Sequence, residues 1–134
     1  MLRSYSARLV ALTTGSSSQW LDNLLSRYVL PGVSRHHRGV ERRINDEGLL
    51  AVELVRMLNL ELGVSVENGV VIASHVLKRA SPAPDFRTPS GLVLHFPLES
   101  IQQRLRSRLS EATEFVAQVR RGRPSRRANA RPDA

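Results

Sequence analysis

The sequence predicts a mainly α fold in which one small β-hairpin interrupts a run of helices. Three observations predict it. Apolar residues recur at steps of three and four through most of residues 4–79 and again through residues 98–119. Gly15, Pro31-Gly32 and Gly63 punctuate the first of these stretches where helices should stop. Between them, residues 33–46 (VSRHHRGVERRIND) abandon the helical period and place β-branched residues on either side of a glycine-containing turn.

The first helix covers Ser6 to Thr13, with Leu9, Val10 and Leu12, and ends near Gly15. Ser16 and Gln19 fit a capping box for the second helix, and Ser17 is the alternative N-cap. That helix carries Leu21, Leu24, Leu25 and Tyr28 on one side and stops before Pro31. Two short helices separated by a few residues around a glycine fit a helix-turn-helix, and spacing alone fits an ordinary αα-hairpin equally well. The hairpin of residues 33–46 follows, with Arg38-Gly39 near its tip. Asp46 is the expected cap of a third helix, densely apolar from Leu49 to Leu62 and closed by Gly63. Ser65 starts a fourth, with Glu67 in its first turn and Val70, Val71, Ile72, Val76 and Leu77 along it.

Residues 4–79 are therefore read as the main domain. Residues 80–91 (ASPAPDFRTPSG) hold three prolines and are read as a linker or wide loop. Residues 92–96 (LVLHF) form a brief strand kept short by Pro97, followed by an amphipathic helix over 98–119. In heptad terms Leu98, Leu105, Ala112 and Val119 fall at a, and Ile101, Arg108 and Phe115 at d, so one core site is charged. Such a helix either self-associates or packs back on its own domain.

Charge narrows the partners. The chain has 134 residues and a formal net charge of +8, and all but one of its 20 basic residues are arginine, Lys78 being the exception. A GC-rich genome also replaces lysine by arginine, which accounts for the choice of cation but not for its clustering. Residues 120–134 hold six arginines and one aspartate, and residues 35–43 hold four arginines against Glu41. Clustered arginine fits a polyanion, either nucleic acid or a membrane surface. The tail 120–134 has nothing to bury and is expected to be disordered alone. Without cysteine there is no disulfide, thiolate zinc site or Cys nucleophile. No apolar run approaches the roughly 20 residues of a membrane span and no signal-peptide core opens the sequence, so a cytoplasmic location with no membrane partner is expected. Adjacent His36 and His37 point to opposite faces of a strand and lack spaced partners, so neither a metal site nor a catalytic base is expected there. With no phosphate loop, no Ser-His-Asp arrangement and no paired carboxylates beyond Asp46-Glu47, no enzyme, metal or cofactor is expected.

Taken in order, Tyr5, Val10-Ala11, Thr14-Gly15, Ser17, Leu21, Pro31, Gly39, Arg42-Arg43, Leu49 and Leu62-Gly63-Val64-Ser65 resemble the MerR-like winged helix-turn-helix family across roughly residues 5–77. The sequence departs from that pattern at Asp22, Asn23, Ile44, Asn59 and Gly69, where the family usually has Arg, Tyr, an aromatic, an apolar residue and Ile. A polar residue at 59 between Leu58 and Leu60 suggests a one-residue register change. The resemblance implies a winged helix-turn-helix with a small hairpin wing, then a short strand and a C-terminal helix that pairs two copies through residues 98–119. It also implies duplex DNA as the partner, with the second helix in the major groove and the wing on the flanking backbone.

The residues offered to DNA follow. Ser17, Ser18, Gln19, Asp22, Asn23 and Arg27 form a polar helix face of amides and hydroxyls suited to base edges or phosphates. Arg35, His36, His37, Arg38, Arg42 and Arg43 make a basic wing that neutralises phosphates. Arg121-Gly122-Arg123-Pro124 looks like an AT-hook, in which glycine lets the backbone lie on the floor of an A·T minor groove while arginines reach into its negative potential. The expected function is a bacterial, nucleoid-associated transcriptional regulator. An excisionase-like or nucleoid-architectural factor is the alternative. Some 40 residues beyond the winged core leave no room for an effector domain, so no small-molecule effector is expected.

Overall fold

The computed structural model describes residues 3–34 and 42–129, with side chains as far as Val119. Among the described residues the chain is mainly helical, with two small two-stranded antiparallel sheets. The order is β1 (Ser4–Tyr5), α1 (Ala7–Thr14), α2 (Ser18–Arg27), β2 (Ile44–Asn45), α3 (Asp46–Leu62), α4 (Val66–Leu77), β3 (Asp85–Arg87), β4 (Val93–His95) and α5 (Leu98–Asn129). None of the described helices is long and apolar enough to cross a membrane.

Capping chemistry sets the helix ends. Ser6 Oγ accepts from the Leu9 amide at 3.2 Å to start α1, and Gly15 closes it in the left-handed region at φ 77°. Ser17, not Ser16, caps α2, its Oγ accepting from the Trp20 amide at 3.0 Å, while the Ser16 and Thr14 hydroxyls bond each other at 2.8 Å. Asn45 rather than Asp46 caps α3 through its side-chain oxygen and the Gly48 amide, 2.9 Å apart. Asp46 is left free to accept from the Tyr5 hydroxyl at 2.6 Å, which ties β1 to the start of α3. Ser65 caps α4 as its sequence position indicates.

α3 is the axis of the core. Residues 48–55 and Leu58 are buried on every side, against α4, α1, β2 and α5. The polar Asn59 causes no break in the helix. Its side-chain amide donates to the Val64 carbonyl at 2.9 Å, holding the Gly63 turn between α3 and α4.

The two ends of the segment 33–46 come together. Ile44 pairs antiparallel with Val33, and the Ser34 amide donates to the Arg43 carbonyl at 2.9 Å. The other edge of β2 takes β1, with Ser4 opposite Asn45 and Tyr5 opposite Ile44. Gly32, at φ 78°, touches the first turn of α3 so closely that a Cβ on Gly48 would sit 2.6 Å from the Gly32 carbonyl.

Two boundaries differ from those the sequence indicates. The proline-rich segment 80–91 is no free linker, because it contains β3, which pairs with β4 through Asp85–His95, Phe86–Leu94 and Arg87–Val93. Phe86 meets the His75 ring of α4 edge-on at 5.4 Å, and the Pro84 carbonyl accepts from the Phe96 amide at 2.9 Å. The single aromatic in the segment and the donor-free proline backbone thus fasten it down. The second difference is the end of α5, whose backbone stays helical to Asn129 where the sequence suggests disorder after Val119. A preceding helix removes the cost of nucleation and arginine is a good helix former, although Gly122 and Pro124 weaken the extension.

The amphipathic face of α5 is turned inward. Leu98, Ile101, Leu105 and Ala112 are buried, and the helix packs mainly along α1 and also on α3. This is the packing-back arrangement, so a pairing seam through the whole of 98–119 does not exist on the surface. Phe115 and Val119 remain 52% and 43% exposed.

Candidate nucleic-acid interface

α2 presents two chemically distinct sides. Leu21, Leu24 and Leu25 are buried, whereas Ser17, Ser18, Gln19, Asp22, Asn23, Ser26 and Arg27 are exposed. The polar side faces outward because steps of three and four from Leu21 place Leu24 and Leu25 with it on the core. Hydroxyls, amides and a carboxylate therefore lie together on about two turns of one helix, beginning at an N-terminus whose free amides favour an anion.

The segment that leads into β2 lies beside this face. Arg42 Nη1 sits 3.3 Å from Asp22 Oδ1, and its Nη2 donates to Ser26 Oγ at 3.4 Å. Arg43 points the other way, toward β1. Its Nε donates to Ser4 Oγ and its Nη2 to the Ser4 carbonyl, both at 3.1 Å. The two arginines thus divide, one toward α2 and the other toward β1. Arg35, His36, His37 and Arg38 lie outside the described residues, as do the side chains of Arg121, Arg123 and Pro124. The backbone of Arg121-Gly122-Arg123-Pro124 is part of α5.

Sequence reasoning missed the pairing of Asp22 with Arg42, treating both as independent contacts. It also missed the arrangement around Glu53. That carboxylate is 2% exposed in α3 and takes a forked contact from Arg56, at 2.9 and 3.0 Å, with Arg108 of α5 at 3.4 Å. The Arg56 guanidinium is pushed above its ordinary value, first by this hydrogen bond. A signal was present in two exceptions to pattern, the acid inside Val52–Leu54 and the arginine at a d position of α5.

Tyr5 is also perturbed. Burial, and next its hydrogen bond to Asp46, raise its pKa above the ordinary phenol value. Among the described residues no group of three or more His, Cys, Asp or Glu side chains is placed to hold a metal ion. A scan against family models finds no match to this chain, and a search of curated proteins finds none similar to it.

Proposed function

We propose that the chain is a sequence-specific double-stranded DNA-binding protein, a transcriptional regulator with a winged helix-turn-helix domain that works in the bacterial cytoplasm on the nucleoid. One surface carries this reading. A short helix follows a glycine turn, buries its apolar side, and exposes Ser18, Gln19, Asn23 and Arg27 beside Arg42. Side-chain amides pair with adenine edges in the major groove, hydroxyls and the helix N-terminus take phosphates, and the hairpin arginines add sequence-independent affinity.

Three refinements follow from the packing. Asp22 holds Arg42 and so orients the hairpin on α2, rather than accepting from a cytosine. The Arg121–Pro124 segment reaches a minor groove only if the end of α5 unwinds on the duplex. Gly122 and Pro124 make that segment a weak helix, so unwinding costs little. Pairing of two copies falls to the exposed end of α5 around Phe115 and Val119, since its first half packs inside the chain.

Selection of preferred duplexes from a random pool, with the full chain and with residues 120–134 removed, tests the proposal. A few discrete motifs are expected from both forms, with weaker binding and a flatter salt dependence for the shortened one. Gln19→Ala combined with Asn23→Ala should erode the motif more than overall affinity. A pool that returns no preferred sequence, or equal affinity for duplex RNA, whose major groove is too deep and narrow to admit α2, overturns it.

A further inference from the structure

We infer that the cleft between β1 and the base of the hairpin holds a backbone phosphate of the duplex, on the side of the hairpin away from α2. This rests on the DNA-binding reading and adds a contact to it. The cleft has a volume of about 410 Å³ and is lined chiefly by Arg3, Ser4, Ser34, Arg43 and Asn45. Among the described residues its lining holds two guanidinium groups and no carboxylate.

The hydrogen bonds leave this cleft rich in donors. Ser4 Oγ accepts from Arg43 Nε at 3.1 Å, and Ser34 Oγ accepts from the Arg43 amide at 2.9 Å. Each hydroxyl is engaged as an acceptor, so its proton is available to donate outward. Arg43 is held only by neutral groups, and its Nη1 adds further donors. Asn45 accepts through its side-chain oxygen from Gly48, which leaves its amide nitrogen as another donor. Arg3 also borders a neighbouring groove with Tyr5, Asp46 and Glu114, where Asp46 Oδ1 is taken by the Tyr5 hydroxyl. Among the described residues, no carboxylate lies within ion-pair distance of Arg3 or Arg43.

A site with several donors, two positive charges and little acceptor capacity matches an anion whose oxygens only accept. Exposed single ion pairs are weak in water, so a free anion gains little here. A polyanion already held by α2 brings its next phosphates to the cleft at high effective concentration. Arg42, one residue earlier, is neutralised by Asp22, which makes Arg43 and not Arg42 the phosphate contact at the base of the hairpin.

Full-length Arg3→Gln and Ser34→Ala proteins test this, with Arg87→Gln as a control on the exposed strand β3. The measurement is affinity for a short duplex across a salt series. Arg3→Gln is expected to weaken binding several-fold, uniformly across sequences, and to lower the slope of log affinity against log salt by about one unit. Ser34→Ala should weaken binding with the slope unchanged, and Arg87→Gln should change neither. A slope untouched by Arg3→Gln, or lowered as much by Arg87→Gln, overturns the cleft and leaves DNA binding standing. A wild-type chain that binds no duplex overturns the DNA reading and the cleft together.

Discussion

Asp22 and Arg42 meet at 3.3 Å, with the arginine side chain only 15% exposed and the aspartate 73% exposed. The pair fastens the segment that leads into β2 to the outer face of α2. On the proposed function α2 meets a polyanion, where an exposed carboxylate is unfavourable unless it does such work. Asp22→Asn should therefore raise non-specific duplex affinity and steepen its salt slope by about one unit, because one repulsive charge is removed and Arg42 is released. Fluorescence anisotropy across a salt series measures this, and an unchanged or lower non-specific affinity would contradict it.

Glu53 is the most consequential single side chain in the core. Glu53→Ala leaves Arg56 without its forked partner and should destabilise the chain by about 3–5 kcal/mol. Arg108→Ala removes only the longer and more exposed contact, so its cost should stay below about 1 kcal/mol. Urea unfolding of the two variants gives the comparison, and near-equal costs would contradict it.

Two glycines should respond in opposite directions. A Cβ on Gly69, inside α4, meets Val55 Cγ1 at an ordinary 3.5 Å, so Gly69→Ala should stabilise by about 0.5–1 kcal/mol. On Gly48 the same Cβ meets the Gly32 carbonyl at 2.6 Å and Ile44 Cγ2 at 2.8 Å, so Gly48→Ala should destabilise by about 1–3 kcal/mol. Thermal unfolding monitored by circular dichroism separates the two.

The Tyr5–Asp46 contact predicts an alkaline effect. The folded chain raises the Tyr5 pKa above its ordinary 10.0, and so favours the protonated phenol. That contribution is complete below pH 10.0 and is lost as pH climbs through the raised value. Tyr5→Phe should flatten the alkaline decline in stability while costing no more than about 1 kcal/mol at neutral pH. Denaturation midpoints followed across alkaline pH test this.

Much of the helical frame was legible because it is written in local chemistry. Ser17, Gly15, Gly63 and Ser65 stop or start helices with their own backbone and side-chain atoms, so position in the sequence is enough. What was illegible depends on distant partners. Nothing near Asp22 identifies Arg42, and Ser4 meets Arg43 only because β1 pairs with β2. The prolines of 80–91 read as a linker because the partners of Phe86 lie in α4 and β4. The inward turn of α5 was undecided for the same reason, since an amphipathic stripe looks alike whether it meets another copy or α1.

The joining of residues 80–112 to the core has a practical meaning for anyone dissecting the chain. The segment 5–77 is not a detachable module. Cutting after Arg79 would uncover the α5-facing sides of α1 and α3, strip Glu53 of its second arginine, and leave His75 without its aromatic neighbour. The smallest autonomous unit reaches at least Ala112, so a chimera grafted at the proline-rich segment would inherit an open wound where a hinge was intended.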